Sequence, residues 1–173
     1  MKADWSGRLL ELDASWSRRL QITSQPGFLR NLEAFLSHSG DSLFVLLALA
    51  LEWWLGNADW KSLAVTLAIG VGITALAVLM VKQAVRRPRP AGDWGQLYRK
   101  TDPHSFPSGH TARVFMLAVV ILGLGPPWLG ILLAIWAPLV GLSRVILGVH
   151  YLSDVLVGAL LGVVIGLGVV WLA

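Results

Sequence analysis

Residues 63–90 read LAVTLAIGVGITALAVLMVKQAVRRPRP. From Leu63 to Val81 there is no charge, and the run approaches the ~20 residues that carry a helix across a bilayer. It then breaks into Lys82, Arg86, Arg87 and Arg89, and two prolines end it. A hydrophobic helix that finishes in a cationic, proline-stopped edge is a membrane span meeting an aqueous face. Working outward, the same alternation of apolar run and short polar connector recurs at Leu43–Leu55, Thr111–Leu124, Trp128–Val145 and Tyr151–Trp171. The pattern predicts an all-α, polytopic membrane helix bundle of about five to six transmembrane helices. The ~10-residue alternating segments of a transmembrane β-barrel are absent.

Composition agrees. The 173 residues are 55% hydrophobic and only 14% charged, with nine Trp, well outside soluble averages. There is no Cys, so disulfide and thiol chemistry are excluded. The net charge of +4 suits anionic headgroups or phosphate. No nucleic-acid recognition module is visible, and no nucleic-acid partner is expected. The expected partners are the lipid bilayer and an anionic lipid phosphate. No oligomeric state is legible.

Residues 4–22 place Trp5, Leu9, Leu12, Trp16 and Leu20 on one helical face and Arg8, Glu11, Asp13, Arg18 and Arg19 on the other. This predicts an interfacial amphipathic helix. The charges interrupt any cleavable-signal core. Pro26-Gly27 breaks it, and Phe28–Leu36 is a second short amphipathic piece. Asp41 and Ser42 are candidate caps for the first membrane helix, and Gly56–Lys61 reads as a polar turn. One domain over 1–173 is expected, with interfacial helices in 1–40 and a transmembrane core in 41–173. Gly158, Gly162 and Gly166 form overlapping GxxxG units, read as packing surface.

Three polar islands interrupt the apolar sequence: Lys82–Pro90, Pro107-Ser108-Gly109-His110, and Ser143–Asp154. Counting spans puts all three at one membrane face. Ionisable groups at a membrane edge are costly and mark functional sites. His150 and Asp154, read as four apart on a helix, would share a face, the carboxylate fixing the imidazole tautomer. His110 could protonate a leaving oxygen. Lys82, Arg89 and Arg144 supply cations for a phosphate. The N–H groups of Ser108, Gly109 and His110 open a helix, a ready anion site. Arg113, one turn past His110, either extends the phosphate site or holds the connector. Arg86 and Arg87 read as an electrostatic rim, and His104 as a connector residue. The set implies phosphoryl transfer with no metal and no cofactor.

Lys82-x6-Arg89-Pro90, Pro107-Ser108-Gly109-His110 and Ser143-Arg144-x5-His150-x3-Asp154 together resemble the three-part signature of the type 2 phosphatidic acid phosphatase (PAP2) superfamily. The resemblance covers residues 82–154. It implies a metal-independent integral-membrane phosphatase of a microbial plasma membrane, acting on lipid phosphates or pyrophosphates. His150 would be the nucleophile of a phosphohistidine intermediate, Asp154 its orienter and His110 the general acid. Lys82, Arg89, Ser108, Gly109 and Arg144 would bind the phosphate, with Ser143 and Arg113 as accessories. Small microbial members favour an isoprenoid substrate such as undecaprenyl diphosphate, with phosphatidylglycerophosphate or phosphatidate next. Two other readings use the same residues. One is a non-catalytic phospholipid-binding membrane protein. The other is the soluble vanadate-dependent haloperoxidase branch, which the membrane helices argue against.

Overall fold

The structure, a computed structural model, describes residues 5–21, 27–91 and 102–173. Its regular elements among these residues are helices: α1 Trp5–Leu20, α2 Phe28–Ser39, α3 Ser42–Leu55, α4 Ala58–Val85, α5 Gly109–Leu124, α6 Pro127–Ile146 and α7 Leu152–Leu172. Pro26, half of the break read after the first amphipathic helix, falls outside the described residues.

Each of the five apolar runs forms a helix. Three of them (α4, α6 and α7) are individually long and apolar enough to cross a membrane. A fourth span results if α2 and α3, bent by 55° at Gly40-Asp41, count as one broken element. Helix α5 is shorter, at 16 residues, because its first turn belongs to the polar site. Helix α4 starts earlier than its hydrophobic pattern indicated. The Asn57 side chain accepts from the Trp60 N–H, so Ala58–Ser62 join the first turns instead of forming a loop.

Helix α5 is the axis, packed between α4, α6 and α7. Its Met116 and Val120 meet Leu67 and Val71 of α4, Val45 and Leu49 of α3, and Val169 of α7. Inward positions are mostly small or β-branched, whereas Ile69, Leu76, Ile135, Leu160 and Leu167 point outward and are exposed. A bundle that carries its largest apolar side chains outside needs lipid around it, and this is an integral membrane protein.

The glycine stripe of α7 sets the approach of α5. A Cβ on Gly162 would stand 2.1 Å from the Ala112 carbonyl oxygen, and one on Gly158 2.6 Å from that of Ser108. Nothing flexible can yield there, because the obstacle is backbone. Gly162→Ala should therefore destabilise the bundle by about 1–3 kcal/mol, as overpacking does. The check is a thermal melt in detergent. Gly168→Ala, which meets nothing within 4 Å, is the matched control and should melt like wild type.

Helix α1 lies against α6 and α7 with a polarity opposite to that of a soluble surface helix. Its buried contacts are polar (Ser17, with Asp13 beside it), while Leu9, Leu12 and Trp16 face outward with the arginines on their flanks. That arrangement fits a helix at the membrane surface, docked through its polar side and greasy toward lipid.

Candidate active site

The three islands converge at one end of the bundle, around a cavity of about 410 Å³. Its polar lining includes Lys82, Asp102, His110, Arg113 and His150. Thr74, Ala75, Val78 and Leu79 of α4 extend it toward the middle of the bilayer. Lys82 lies eight positions after Thr74, so the groove runs roughly 12 Å at the 1.5 Å rise of a helix.

His150 is not on α7, contrary to the helical i, i+4 reading. Helix α7 begins at Leu152, because Asp154 reaches back and its Oδ2 accepts from the Tyr151 N–H at 2.9 Å. His150 sits in the preceding turn. Gly148 adopts φ +67 there, a value that favours glycine, and the N–H groups of Val149 and His150 both donate to the Arg144 carbonyl. The turn still brings the imidazole Nδ1 to 3.4 Å from Asp154 Oδ2, just beyond a formed hydrogen bond. The other nitrogen, Nε2, stands 3.2 Å from Arg89 Nη1. The ring is 1% exposed. Burial first, then the charges of Arg144, Arg89 and Lys82, hold its pKa well below the ordinary histidine value, so the imidazole is neutral, with its Nε2 lone pair facing the Arg89 donor.

Lys82 and Arg89 meet over one carboxylate. Asp102 Oδ2 accepts from Lys82 Nζ and, at 2.8 Å, from Arg89 Nη2. Arg89 also donates to the carbonyls of Asp102 and Val149. Burial raises the Asp102 pKa, but the Lys82 hydrogen bond and the two cations outweigh it and hold the carboxyl below the usual range. An anion therefore already sits between the two cations, where an incoming phosphate would have to compete. Asp102→Asn should lower both KM for an anionic lipid and the inhibition constant of inorganic phosphate roughly three- to tenfold, the scale of a partly exposed charge-assisted contact. Steady-state inhibition by phosphate reads this directly. Weaker phosphate inhibition would mean that Asp102 organises the cations and does not compete for them.

The bend between α2 and α3 supplies a wall that the motif reading lacked. Asp41 was read as a helix cap, yet it makes no cap hydrogen bond. Its carboxylate lies between two imidazoles: Oδ1 pairs with Nε2 of His110, and Oδ2 with Nδ1 of His38 at 3.0 Å. Around it, Arg113 donates to the Gly40 carbonyl at 2.6 Å and Arg144 donates to the Ser37 hydroxyl. Arg113 thus holds the α2–α3 bend, and not the connector, while also lining the cavity. The signal for Asp41 was present, as a lone carboxylate at the edge of an apolar run.

Three other expectations need correction. Ser143 is buried, but its hydroxyl donates to the Val140 carbonyl within α6 and not into the cavity. The Ser108 N–H is already spent on the Asp154 carbonyl at 2.9 Å, and the Ser108 hydroxyl accepts from Thr111 Oγ1. This leaves the N–H groups of Gly109 and His110 as the helix-start donors. Arg87 is no rim residue. Its fork turns inward to Asp154 Oδ1 at 2.9 Å and to Asp13 Oδ2 at 2.7 Å. His104 forms an isolated bridge with Pro88 that closes the base of the 86–107 connector and lines the cavity.

A family model described as the PAP2 superfamily matches residues 59–173. The chain is 31% identical over 151 residues to a decaprenylphosphoryl-5-phosphoribose phosphatase of Mycobacterium tuberculosis, covering 84% of this chain and 80% of that one. It is 36% identical over 105 residues to an undecaprenyl-diphosphatase of Sulfolobus acidocaldarius, covering 59% of this chain. The chain spans 51% of that archaeal protein, and 24% of a Porphyromonas gingivalis lipid A 1-phosphatase that it matches at 32% identity over 113 residues, 64% of this chain. Among solved structures, a transmembrane PAP2-type phosphatidylglycerolphosphate phosphatase from Bacillus subtilis superposes with a TM-score of 0.76 at 26% identity, over 94% of this chain and 84% of that one. Motif order, helix arrangement and family match coincide on the same residues, and the chain belongs to the PAP2 superfamily.

Proposed function

We propose that this protein is a metal-independent lipid phosphatase working through a phosphohistidine on His150. The observation that carries the reading is a buried, neutral imidazole whose Nε2 is 3.2 Å from Arg89, beside a Lys82–Arg89 pair that already grips a carboxylate. Nucleophile and anion seat are adjacent, as in-line attack at phosphorus requires. The lipid phosphate enters from the bilayer along the α4 groove. Lys82, Arg89 and Arg144 and the N–H groups of Gly109 and His110 hold its oxygens.

The His150 Nε2 lone pair then forms the N–P bond while the P–O bond to the leaving group breaks. His110 gives its proton to that oxygen, and Asp154 stabilises the charge that develops on the His150 ring. Water next attacks phosphorus, returns a proton to His110, and the N–P bond breaks to release inorganic phosphate.

The preferred substrate class is an isoprenoid phosphate or diphosphate. The two prenyl-lipid relatives support this over a glycerolipid. The superposition on a phosphatidylglycerolphosphate phosphatase favours the second reading, a glycerolipid phosphate. Phosphate release by purified protein in detergent with chelator, on undecaprenyl diphosphate, undecaprenyl phosphate, phosphatidylglycerophosphate and phosphatidate, tests both. Release from a prenyl lipid at higher kcat/KM than from either glycerolipid is expected. No release from any of the four would abandon the enzyme reading for a binding protein.

A further inference from the structure

The contact that the mechanism leaves unused is the one between α1 and the start of α7, and it runs through Arg87. Asp13 Oδ1 accepts from the Ser153 N–H at 3.0 Å, and Ser17 Oγ accepts from the Leu152 N–H at 2.9 Å. Helix α1 thus satisfies the first N–H groups of the helix that carries Asp154, donors that α7 cannot pair itself. The same Asp13 carboxylate takes the Ser153 hydroxyl and Arg87 Nη2 on Oδ2. Arg87 Nη1 then donates to Ser153 Oγ at 2.7 Å and to Asp154 Oδ1 at 2.9 Å. Its guanidinium carbon lies 3.9 Å from the centroid of the Tyr151 ring. The fork is largely buried, 12% exposed at the side chain, against 14% for Asp13 and 0% for Asp154.

The two oxygens of Asp154 therefore do different jobs. Oδ1 is held by Arg87, and Oδ2 is turned toward Tyr151 N and His150 Nδ1. Without Arg87 the carboxylate would keep only the Tyr151 N–H and the Ser105 hydroxyl, neither of them a cation, and could rotate away from an imidazole it does not yet touch. A buried carboxylate with no cation would also load its whole charge onto that imidazole.

We infer that Arg87, anchored by Asp13 of the N-terminal helix, is a positioning residue that fixes Asp154 against His150 and balances its charge. Docking of α1 at the membrane surface is in this way part of the active site, although α1 contributes no group that touches phosphate. A lysine could supply the charge at this place, but not two parallel N–H groups bridging two carboxylates or a planar face for Tyr151.

The inference rests on His150 being the reactive imidazole, and the test has an arm that needs no turnover. The full chain, labelled with 15N in its four histidines, is titrated by NMR in detergent. The His150 resonance is identified by its loss in His150→Gln. The groups facing this imidazole are Lys82 of α4, Arg89 and Asp102 of the connector, His110 of α5, Arg144 of α6 and Asp154 of α7. Arg87→Ala leaves all of these in place and removes only the cation behind Asp154. The midpoint of His150 should then rise by about one pH unit, the low end of the effect of an unbalanced neighbouring charge. Arg87→Lys should return it close to wild type.

In the kinetic arm, Arg87→Ala should lose about tenfold to a hundredfold in kcat with KM within about twofold, as loss of alignment does. Asp13→Asn should lose less, in the same direction. An unchanged His150 midpoint in folded Arg87→Ala overturns the inference. If that variant does not fold, Arg87→Lys and Asp13→Asn decide it: wild-type kcat in both overturns it, and reduced kcat at constant KM in both supports it. Wild-type protein that releases no phosphate would defeat the proposed function, while the titration would still decide the role of Arg87.

Discussion

His150→Ala should abolish phosphate release, by at least about 10⁴-fold, the scale on which loss of a nucleophile is felt. The loss should appear in kcat with lipid binding retained, because Lys82, Arg89 and Arg144 each keep partners other than the imidazole, Arg89 through Asp102 and the Val149 carbonyl. A second readout separates a nucleophile from a general base. Brief exposure of wild type to a substrate labelled in the transferred phosphate should leave an acid-labile, alkali-stable label on the protein, as expected of an N–P bond. His150→Ala should carry none. If label remains in the variant, another group accepts the phosphoryl, and the depressed basicity of His150 has some other use. The acid side of the kcat/KM profile follows from the same burial. The folded imidazole protonates well below its ordinary range, so activity should persist as pH falls through that range and fail only at lower pH.

Much of this site was legible because its information is local. The order of apolar runs fixes which helix ends share a face, and each island is a short segment whose residue types state their chemistry. Local reading failed where a partner lies far along the chain. Asp41 meets His110, Asp13 meets Ser153 and Arg87, and Arg87 meets Asp154, each across many tens of residues and each through a side chain whose direction depends on how helices dock. The placing of His150 failed for a different reason. Its i, i+4 spacing to Asp154 looked helical, but Gly148 in the same island carried the turn signal, and the backward reach of Asp154 starts the helix after the histidine. The hydrophobic pattern could not show that α1 docks by its polar side, since pattern identifies the faces of a helix and not which of two solvents each face will meet.

His110→Ala should have an effect that depends on the leaving group, and this is the sharpest test of its role. A lipid monophosphate must expel an alkoxide, whose conjugate acid has a pKa near the ~15.7 of water. Without a proton donor that step should slow by about 10²–10⁴-fold. A lipid diphosphate expels a lipid phosphate, whose relevant pKa is about 6, so protonation assists little. Formation of the phosphoenzyme from diphosphate should therefore be nearly normal in His110→Ala. Its hydrolysis should not be, since water then lacks the base that His110 becomes. The variant should show a burst of lipid monophosphate and accumulate labelled protein from diphosphate, and show neither from monophosphate. Asp41→Asn should reproduce a weaker form of the same pattern, because its carboxylate pairs with His110 Nε2 and orients the ring. An equal loss on both substrates, with no burst, would instead give His110 a share in binding phosphate, as one more donor beside Gly109 at the start of α5.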